Sequence, residues 1–438
     1  MERYAMQELK NWKAKRERKP LLIRGARQVG KTWLMKEFGK NNYKHTAYVN
    51  FESSKSLKTL FTDDFDIERI ITALQIETGV IIGAENTLII FDEIQEAEGA
   101  LTSLKYFHEN APQYHIIAAG SLLGVALYKQ SSFPVGKVEF LDLFPLSYEE
   151  FLKAIGQEAL LDLIENKNWS LVRNFKAKLI QHLRCYYYTG GMPEAVLCYR
   201  DKNDFREVRD IQKRIITAYE NDFSKHAPVD IVPRIRMLWN SIPSQLSKEN
   251  KKFIYKAVKP GSRAKDYELA LSWLIDCGLV HKVFRASKPG LPLKAYEDTG
   301  AFKLFITDVG LLGAMGDIDV RTLLEGNTIF EEFKGALTEQ FVLQQLKTIP
   351  DLAIYYWSAE RSTAEIDFLI QHAGKIIPLE VKSEENLQAK SLKTFVQKYA
   401  QVTAVRTSMS DFREEAWMTN LPLYAISKLP DLLKDSSS

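Results

Sequence analysis

Eight residues constrain this chain more than any others. Gly25-Ala26-Arg27-Gln28-Val29-Gly30-Lys31-Thr32 fits GxxxxGK[ST], follows the apolar run Leu21-Leu22-Ile23 and opens a helical stretch, Trp33–Phe38. Glycine lets the backbone curl until successive N–H groups face phosphate oxygens. The helix that follows adds the positive end of its dipole. In such a loop Lys31 reaches the β- and γ-phosphates and Thr32 ligands Mg²⁺. The pattern predicts a strand, a phosphate-binding loop and a helix, with ATP and Mg²⁺ as cofactors.

The partner of such a loop is an apolar strand ending in acids. Leu88-Ile89-Ile90-Phe91-Asp92-Glu93 has that form, and ligands of open α/β sheets bind where strands end. Asp92 is expected to hold Mg²⁺ and Glu93 to polarise the attacking water as general base. The run His115–Ala119 ends in Gly120-Ser121, which places Ser121 where a polar side chain senses the γ-phosphate. Short apolar runs (Leu21–Arg24, Ala47–Phe51, Thr87–Phe91, His115–Ala119) alternate with helical patterns, which predicts an α/β domain with a largely parallel sheet.

These residues carry a family resemblance. The stretch Leu21–Leu34 resembles AAA-type P-loop ATPases of the bacterial and archaeal kind that carry a C-terminal domain of unknown function, number 4143. Ala119-Gly120-Ser121, Pro134-Val135-Gly136-Lys137, Phe144–Phe151 and the turn Gly190-Gly191-Met192-Pro193-Glu194 belong to the same pattern. The resemblance covers nearly the whole chain. It implies an α/β fold with a P-loop NTPase core (1–150), a helical lid (151–230), a winged helix (231–320) and a nuclease-like α/β end (321–438). A homo-oligomer is among the partners it implies. One departure is Lys137, where the family commonly has arginine; lysine lacks the bidentate fork of an arginine finger. Arg27, inside the loop, reads either as a contributor there or as a surface charge.

The formal charge of the 438 residues is +3, with 59 Lys+Arg against 56 Asp+Glu. That total hides segregation. Residues 248–303 hold twelve Lys/Arg and six Asp/Glu, so this block carries +6 and the remainder −3. Within it Tyr267, Ala270, Leu271 and Leu274 recur at helical spacing. Leu279–Arg285 reads as a strand, Ser287-Lys288-Pro289-Gly290 as a turn and Leu293–Tyr296 as a second strand. Helix, strand, turn, strand is the pattern of a winged helix. Arg263, Lys265 and Lys288 then sit where DNA phosphates are met; the alternative is a protein-docking module with a solvated basic face. A second basic run, Lys10, Lys13, Lys15, Arg16, Arg18 and Lys19, reads as a solvated helix face.

The last block holds Ala364–Ile370 and Ile376–Lys382 around Gly374, a β-hairpin pattern. With the turn centred between Ala373 and Gly374, facing residues sum to 747. Asp367 then opposes Glu380 and Glu365 opposes Lys382, all on one face. Opposed like charges destabilise a sheet, and a bound divalent cation supplies a reason for the carboxylate pair. The arrangement is similar to the PD-(D/E)XK nuclease core. That resemblance implies Asp367 and Glu380 as metal ligands, Lys382 as the residue that orients or activates water, and Glu339 on an upstream helix (Lys334–Leu346) as a further ligand. Ile366 stands where proline is common. The alternative is a nuclease fold without activity, with Glu365–Lys382 as a cross-strand ion pair.

No apolar run approaches the ~20 residues of a membrane helix, and Met1-Glu2-Arg3-Tyr4 does not start a signal peptide. Three cysteines, Cys185, Cys198 and Cys277, without CxxC fit a reducing compartment, so a cytoplasmic protein is expected. His182, Cys185 and Cys198 lack a fourth ligand at zinc spacing. The expectation is an ATP-hydrolysing protein whose nucleotide state controls a DNA-binding, metal-dependent DNA-cleaving C-terminal half. DNA contact is expected through residues 248–303 and the C-terminal block. The alternative is a nucleotide-dependent switch with an inactive nuclease-like domain.

Overall fold

Short apolar runs between amphipathic helices become the strands of a parallel sheet. β1 (Leu21–Arg24), β2 (His45–Asn50), β3 (Thr87–Asp92), β4 (His115–Ala119) and β5 (Glu139–Asp142) lie in the order β2-β3-β4-β1-β5, with every pairing parallel. The structure is a computed structural model that describes residues 1–120, 136–248, 251–323, 331–359, 364–385, 389–399 and 402–434. β3 and β4 are buried along their whole length, as continuous apolar strands covered on both faces must be. Ile70 and Leu74 from the helix Ile67–Thr78, and Leu101, Leu104 and Phe107 from Ala100–Asn110, pack with Val49, Ile89 and Phe91 in one core. Each such side chain contributes roughly 1.5–3 kcal/mol on burial.

Contacts along the chain gather into two units, Met1–Pro145 with Ser272–Leu279, and Leu146–Leu271 with Val280–Ser438. The first basic run is not one helix face. The helix spans Ala5–Ala14, so Lys15, Arg16, Arg18 and Lys19 lie beyond it; Lys15 pairs with Glu139, and Lys19 donates to the Gly136 carbonyl at 2.7 Å.

The second unit begins with a capping box, in which Ser147 accepts from the Glu150 N–H and the Glu150 side chain accepts from the Ser147 N–H. The Gly-Gly turn separates the helices Lys176–Thr189 and Pro193–Lys202, the latter with its proline at the first turn where no donor is lost. Gly190 has φ 70°. A Cβ there would stand 2.1 Å from Asp308 Oδ1, and one on Gly191 would stand 2.1 Å from the Leu146 carbonyl oxygen. Gly191 N–H donates to Asp308 Oδ2 at 2.6 Å. The turn is shaped by packing within its own unit.

The amphipathic stripe Tyr267, Ala270, Leu271, Leu274 is buried on the helix Ala264–Asp276. β6 (Val280–Ala286) follows. Leu293–Tyr296 is a 3₁₀ turn and not the expected strand: Leu293 is buried while Lys294 and Ala295 are exposed, so one anchor stands where a strand needs alternation. The second strand is β7 (Glu297–Ile306), whose polar start Glu297-Asp298-Thr299-Gly300 obscured it.

Among the described residues β6 and β7 belong to an eight-stranded mixed sheet with β8 (Ala353–Ser358), β9 (Glu365–His372), β10 (Lys375–Val381), β11 (Val405–Ser408), β12 (Arg413–Glu414) and β13 (Thr419–Pro422), in the order β12-β13-β11-β10-β9-β8-β6-β7. β6 meets β8 in parallel at Arg285↔Tyr356. Ala373 (φ 46°) and Gly374 (φ 74°) form the two-residue turn of the β9–β10 hairpin, a turn that needs positive φ at both positions. The register from Lys375↔His372 to Leu379↔Phe368 is the one supposed from the sequence. The helix Glu331–Lys347 has buried polar side chains among its apolar ones. Gln340 bonds both backbone groups of Ile306, and Gln344 bonds Val309 N–H and Asp308. No helix among the described residues is long and apolar enough to cross a membrane.

Candidate functional site

The phosphate-loop residues sit between β1 and the helix Lys31–Asn42. Gly30 has φ 97°, and a Cβ on Gly25 would come 2.2 Å from the Leu143 carbonyl oxygen. Both positions therefore require glycine. Gln28 also takes a left-handed conformation (φ 67°), while Ala26 and Val29 are buried and hold the loop from beneath. Arg27 is half-buried. Lys31 is buried and curls over the loop, donating to the carbonyls of Gly25 (2.8 Å) and Ala26 (2.9 Å). Burial pushes its ammonium down to about 8, against the opposing pull of Glu93 and Asp92.

β3 delivers the acids. Thr32 Oγ1 donates to Asp92 Oδ2 at 2.7 Å, and the Tyr48 hydroxyl donates to the same oxygen at 2.9 Å. Two motifs sixty residues apart in the chain are thus joined by one hydrogen bond. Glu93 follows in the left-handed region (φ 49°), uncommon for a residue with a Cβ, and accepts from Gln95 Nε2 at 2.7 Å. Lys137 pairs with Glu109 at 2.9 Å. Ser121 lies outside the described residues.

In the second unit the hairpin and the helix Glu331–Lys347 line a cleft of about 630 Å³ that brings together Glu339, Glu365, Asp367, Glu380, Lys382 and Lys251. The Glu365–Lys382 ion pair that belonged to the alternative of an inactive nuclease fold does not form. Glu365 pairs with Lys303 at 2.5 Å and Lys382 with Glu380 at 2.8 Å. Lys303, fully buried on β7, reaches both Glu365 and Glu339 and so draws Glu365 away from its cross-strand neighbour. Glu339 also accepts from Lys251. Asp367 Oδ2 accepts from the Val381 N–H at 2.8 Å. Glu380 is 4% exposed, and its second oxygen has no hydrogen-bond partner.

Burial by itself works to raise both Glu339 and Asp367, but the neighbours of the two acids differ. For Glu339 the lysines Lys251 and Lys303 outweigh burial and hold it below the ordinary carboxylate range. For Asp367 burial and the Glu339 charge push it well above that range. Burial also lowers Lys303, but Glu339, Glu365 and Asp367 more than offset this and keep its ammonium charged. Among the described residues no three or more His, Cys, Asp or Glu side chains gather as a group that could hold a metal ion.

Sequence reasoning missed several residues of both sites. Arg3 is buried and donates to the loop carbonyl of Val29 (3.0 Å) and to Phe144 (2.6 Å). Tyr48 was missed because nothing local ties it to Asp92. Lys251 and Lys303 were read as part of a basic face; their roles depend on Glu339, 88 and 36 residues away in the chain. The three residues assigned to DNA phosphates, Arg263, Lys265 and Lys288, are exposed; elsewhere in the same block Lys282 lies over the rings of Phe284 and Phe302.

Residues 17–152 match a family described as AAA domain. Residues 180–322 match a domain of unknown function, DUF8612, and residues 334–426 match another, DUF4143. The parallel sheet and its loop are those of a P-loop NTPase core. No curated protein matches the chain. Among solved structures, the Walker-type ATPase PABY2304 of Pyrococcus abyssi is 16% identical, with 71% of this chain and 94% of that chain covered and a TM-score of 0.44. The Aeropyrum pernix ORC1 protein in complex with DNA is 10% identical over 72% of this chain and 90% of that one, with a TM-score of 0.26. Drosophila ORC bound to DNA is 13% identical over 74% and 95%, with a TM-score of 0.26.

Proposed function

We propose that this protein binds and hydrolyses ATP, and that its nucleotide state controls a DNA-binding and metal-dependent DNA-cleaving second unit. The observation that carries the first part is the Thr32–Asp92 hydrogen bond beside the buried Lys31. It gathers a hydroxyl, a carboxylate and an ammonium at one strand-and-helix junction. Hydroxyl and carboxylate oxygens are the hard donors that Mg²⁺ takes, so Thr32 and Asp92 would hold it. Lys31 and the N–H groups of the loop would bind the phosphates, with Ser121 as the proposed γ-phosphate sensor. Glu93, oriented by Gln95, would accept a proton from the attacking water.

For the second unit, the unpartnered oxygen of buried Glu380 fits a cation. Mg²⁺ is often bound by one or two carboxylates together with substrate phosphate, so Asp367 and Glu380 suffice as protein ligands, with Glu339 behind Asp367. A divalent ion there would supply charge stabilisation at phosphorus, and Lys382 would orient the attacking water. The helix Ala264–Asp276 with the β6–β7 hairpin reads as a winged helix that offers Arg263, Lys265 and Lys288 to DNA phosphates.

The test is a pair of variants with two readouts. Lys31→Ala should abolish ATP binding and turnover. Glu380→Ala should keep ATPase activity and lose Mg²⁺- or Mn²⁺-dependent cleavage of mixed single- and double-stranded DNA. Normal ATPase rates in Lys31→Ala would sink the first reading, and a wild type that cuts no DNA would sink the second. One observation favours a nucleotide-dependent switch with an inactive nuclease-like unit instead: Glu339, Glu365 and Glu380 are each already paired with lysine. Nucleotide-dependent partner binding without cleavage is the outcome that reading expects.

A further inference from the structure

Three of the four acids of the cleft are paired with lysine, and the pairing differs in how complete it is. Both oxygens of Glu339 face ammonium groups, Oε1 that of Lys251 and Oε2 that of Lys303 at 3.5 Å. Glu365 Oε1 lies 2.5 Å from the same Lys303 ammonium. At Glu380 the pairing leaves one buried oxygen over. Glu380 gives one oxygen to Lys382 and keeps the other buried and without a partner, while Asp367 hydrogen-bonds to Glu339 and accepts the Val381 N–H.

Lys303 is fully buried and projects from β7, outside both the hairpin and the glutamate helix. Its chain is held by the β6–β7 ladder, so the charge is fixed in place. Lys251 is largely buried beside it. A fixed positive charge in a low-dielectric cleft repels any cation brought within a few ångströms. Leaving Glu339 and Glu365 with neither lysine nor metal would bury uncompensated charge, which is strongly unfavourable.

We infer that Lys303, assisted by Lys251, occupies as an internal cation the place that a second divalent ion would take beside Glu339 and Glu365, so the cleft binds one divalent ion, on Asp367 and Glu380, and excludes another. The inference rests on the metal reading of the cleft proposed above. It makes Lys303 and Lys251 residues that set the number of ions bound, a role their place in a basic block did not suggest.

The test counts Mn²⁺ bound to the full chain without nucleotide, in an Asp92→Asn background that silences the other metal position. The parent should bind one ion, lost in Glu380→Ala. Lys251→Met/Lys303→Met should bind two. Lys303→Met should melt at a lower temperature in chelator, and added Mg²⁺ should raise its melting temperature by roughly 5 °C more than it raises the parent's. Should Lys303→Met fail to fold, Lys251→Met supplies the same reading through a second, weaker Mn²⁺ ion. Two ions in the parent overturn the inference alone, as does a single ion of unchanged affinity in the lysine variants. No Mn²⁺ in any variant overturns it together with the metal reading, and leaves the ATPase reading untouched.

Discussion

At the phosphate loop, Asp92 is held by the hydroxyls of Thr32 and Tyr48; in the cleft of the second unit, Glu339 is held by the ammonium groups of Lys251 and Lys303. A hydroxyl orients a carboxylate and leaves its charge to act on something else. An ammonium cancels the charge. The loop therefore leaves the Asp92 side chain oriented and, among the described residues, without an ammonium partner at hydrogen-bond distance, beside the buried Lys31. The cleft has spent most of its charge on itself, with one oxygen of Glu380 left over.

The largest effect expected from this contrast is at Glu93. Glu93→Gln should keep ATP affinity within a few-fold and lower turnover by about 10²–10⁴-fold, as loss of a general base does; parallel nucleotide-binding and steady-state measurements check it. Unchanged turnover would move the base elsewhere. Next comes a direct comparison of the two ways of holding an acid. Lys303→Met breaks a buried ion pair and should cost about 3–5 kcal/mol. Tyr48→Phe removes one hydroxyl bond to a carboxylate and should cost about 1.5 kcal/mol. Denaturant unfolding of both variants reads the difference, and equal costs would erase the contrast.

The last effect develops only below neutral pH and concerns charge that the first unit excludes. His115 is buried on β4, with Nδ1 2.7 Å from the Tyr43 hydroxyl and Nε2 without a partner. Burial first, then Arg18 and Lys13, push its pKa down to about 4. An unfolded chain takes up that proton near about 6.5. The unfolded state thus binds more protons in between, and stability falls as pH drops from about 6.5 towards 4. His115→Gln should flatten this part of the pH dependence of unfolding; an unaltered slope would mean that other groups carry it.

What the sequence made legible was whatever is local. The loop, its flanking strand and helix, and the acids ending β3 are each contiguous. The β9–β10 register could be derived because one two-residue turn fixes every pairing after it. Three kinds of feature were not legible. β5 is a four-residue strand, too short for a clear alternating signal. Leu293–Tyr296 looks extended, yet its neighbours and not its pattern decide its conformation. Lys251 and Lys303 show only a charge in the sequence, and the fold supplies the partner. A block sum of +6 suggested an outward basic face, while two of its lysines turn inward onto acids.

The pairing of β6 with β8 bears on how the molecule can be dissected. A truncated protein that starts after residue 320 would keep the glutamate helix and the β9–β10 hairpin but lose β6 and β7. The outer edge of β8 would then be bare, a template for strand-to-strand aggregation. Glu339 and Glu365 would at the same time lose Lys303. Insolubility or inactivity of such a fragment would reflect a severed sheet and would say nothing about the chemistry of the cleft. Fragments meant to isolate that chemistry should begin upstream of Lys251.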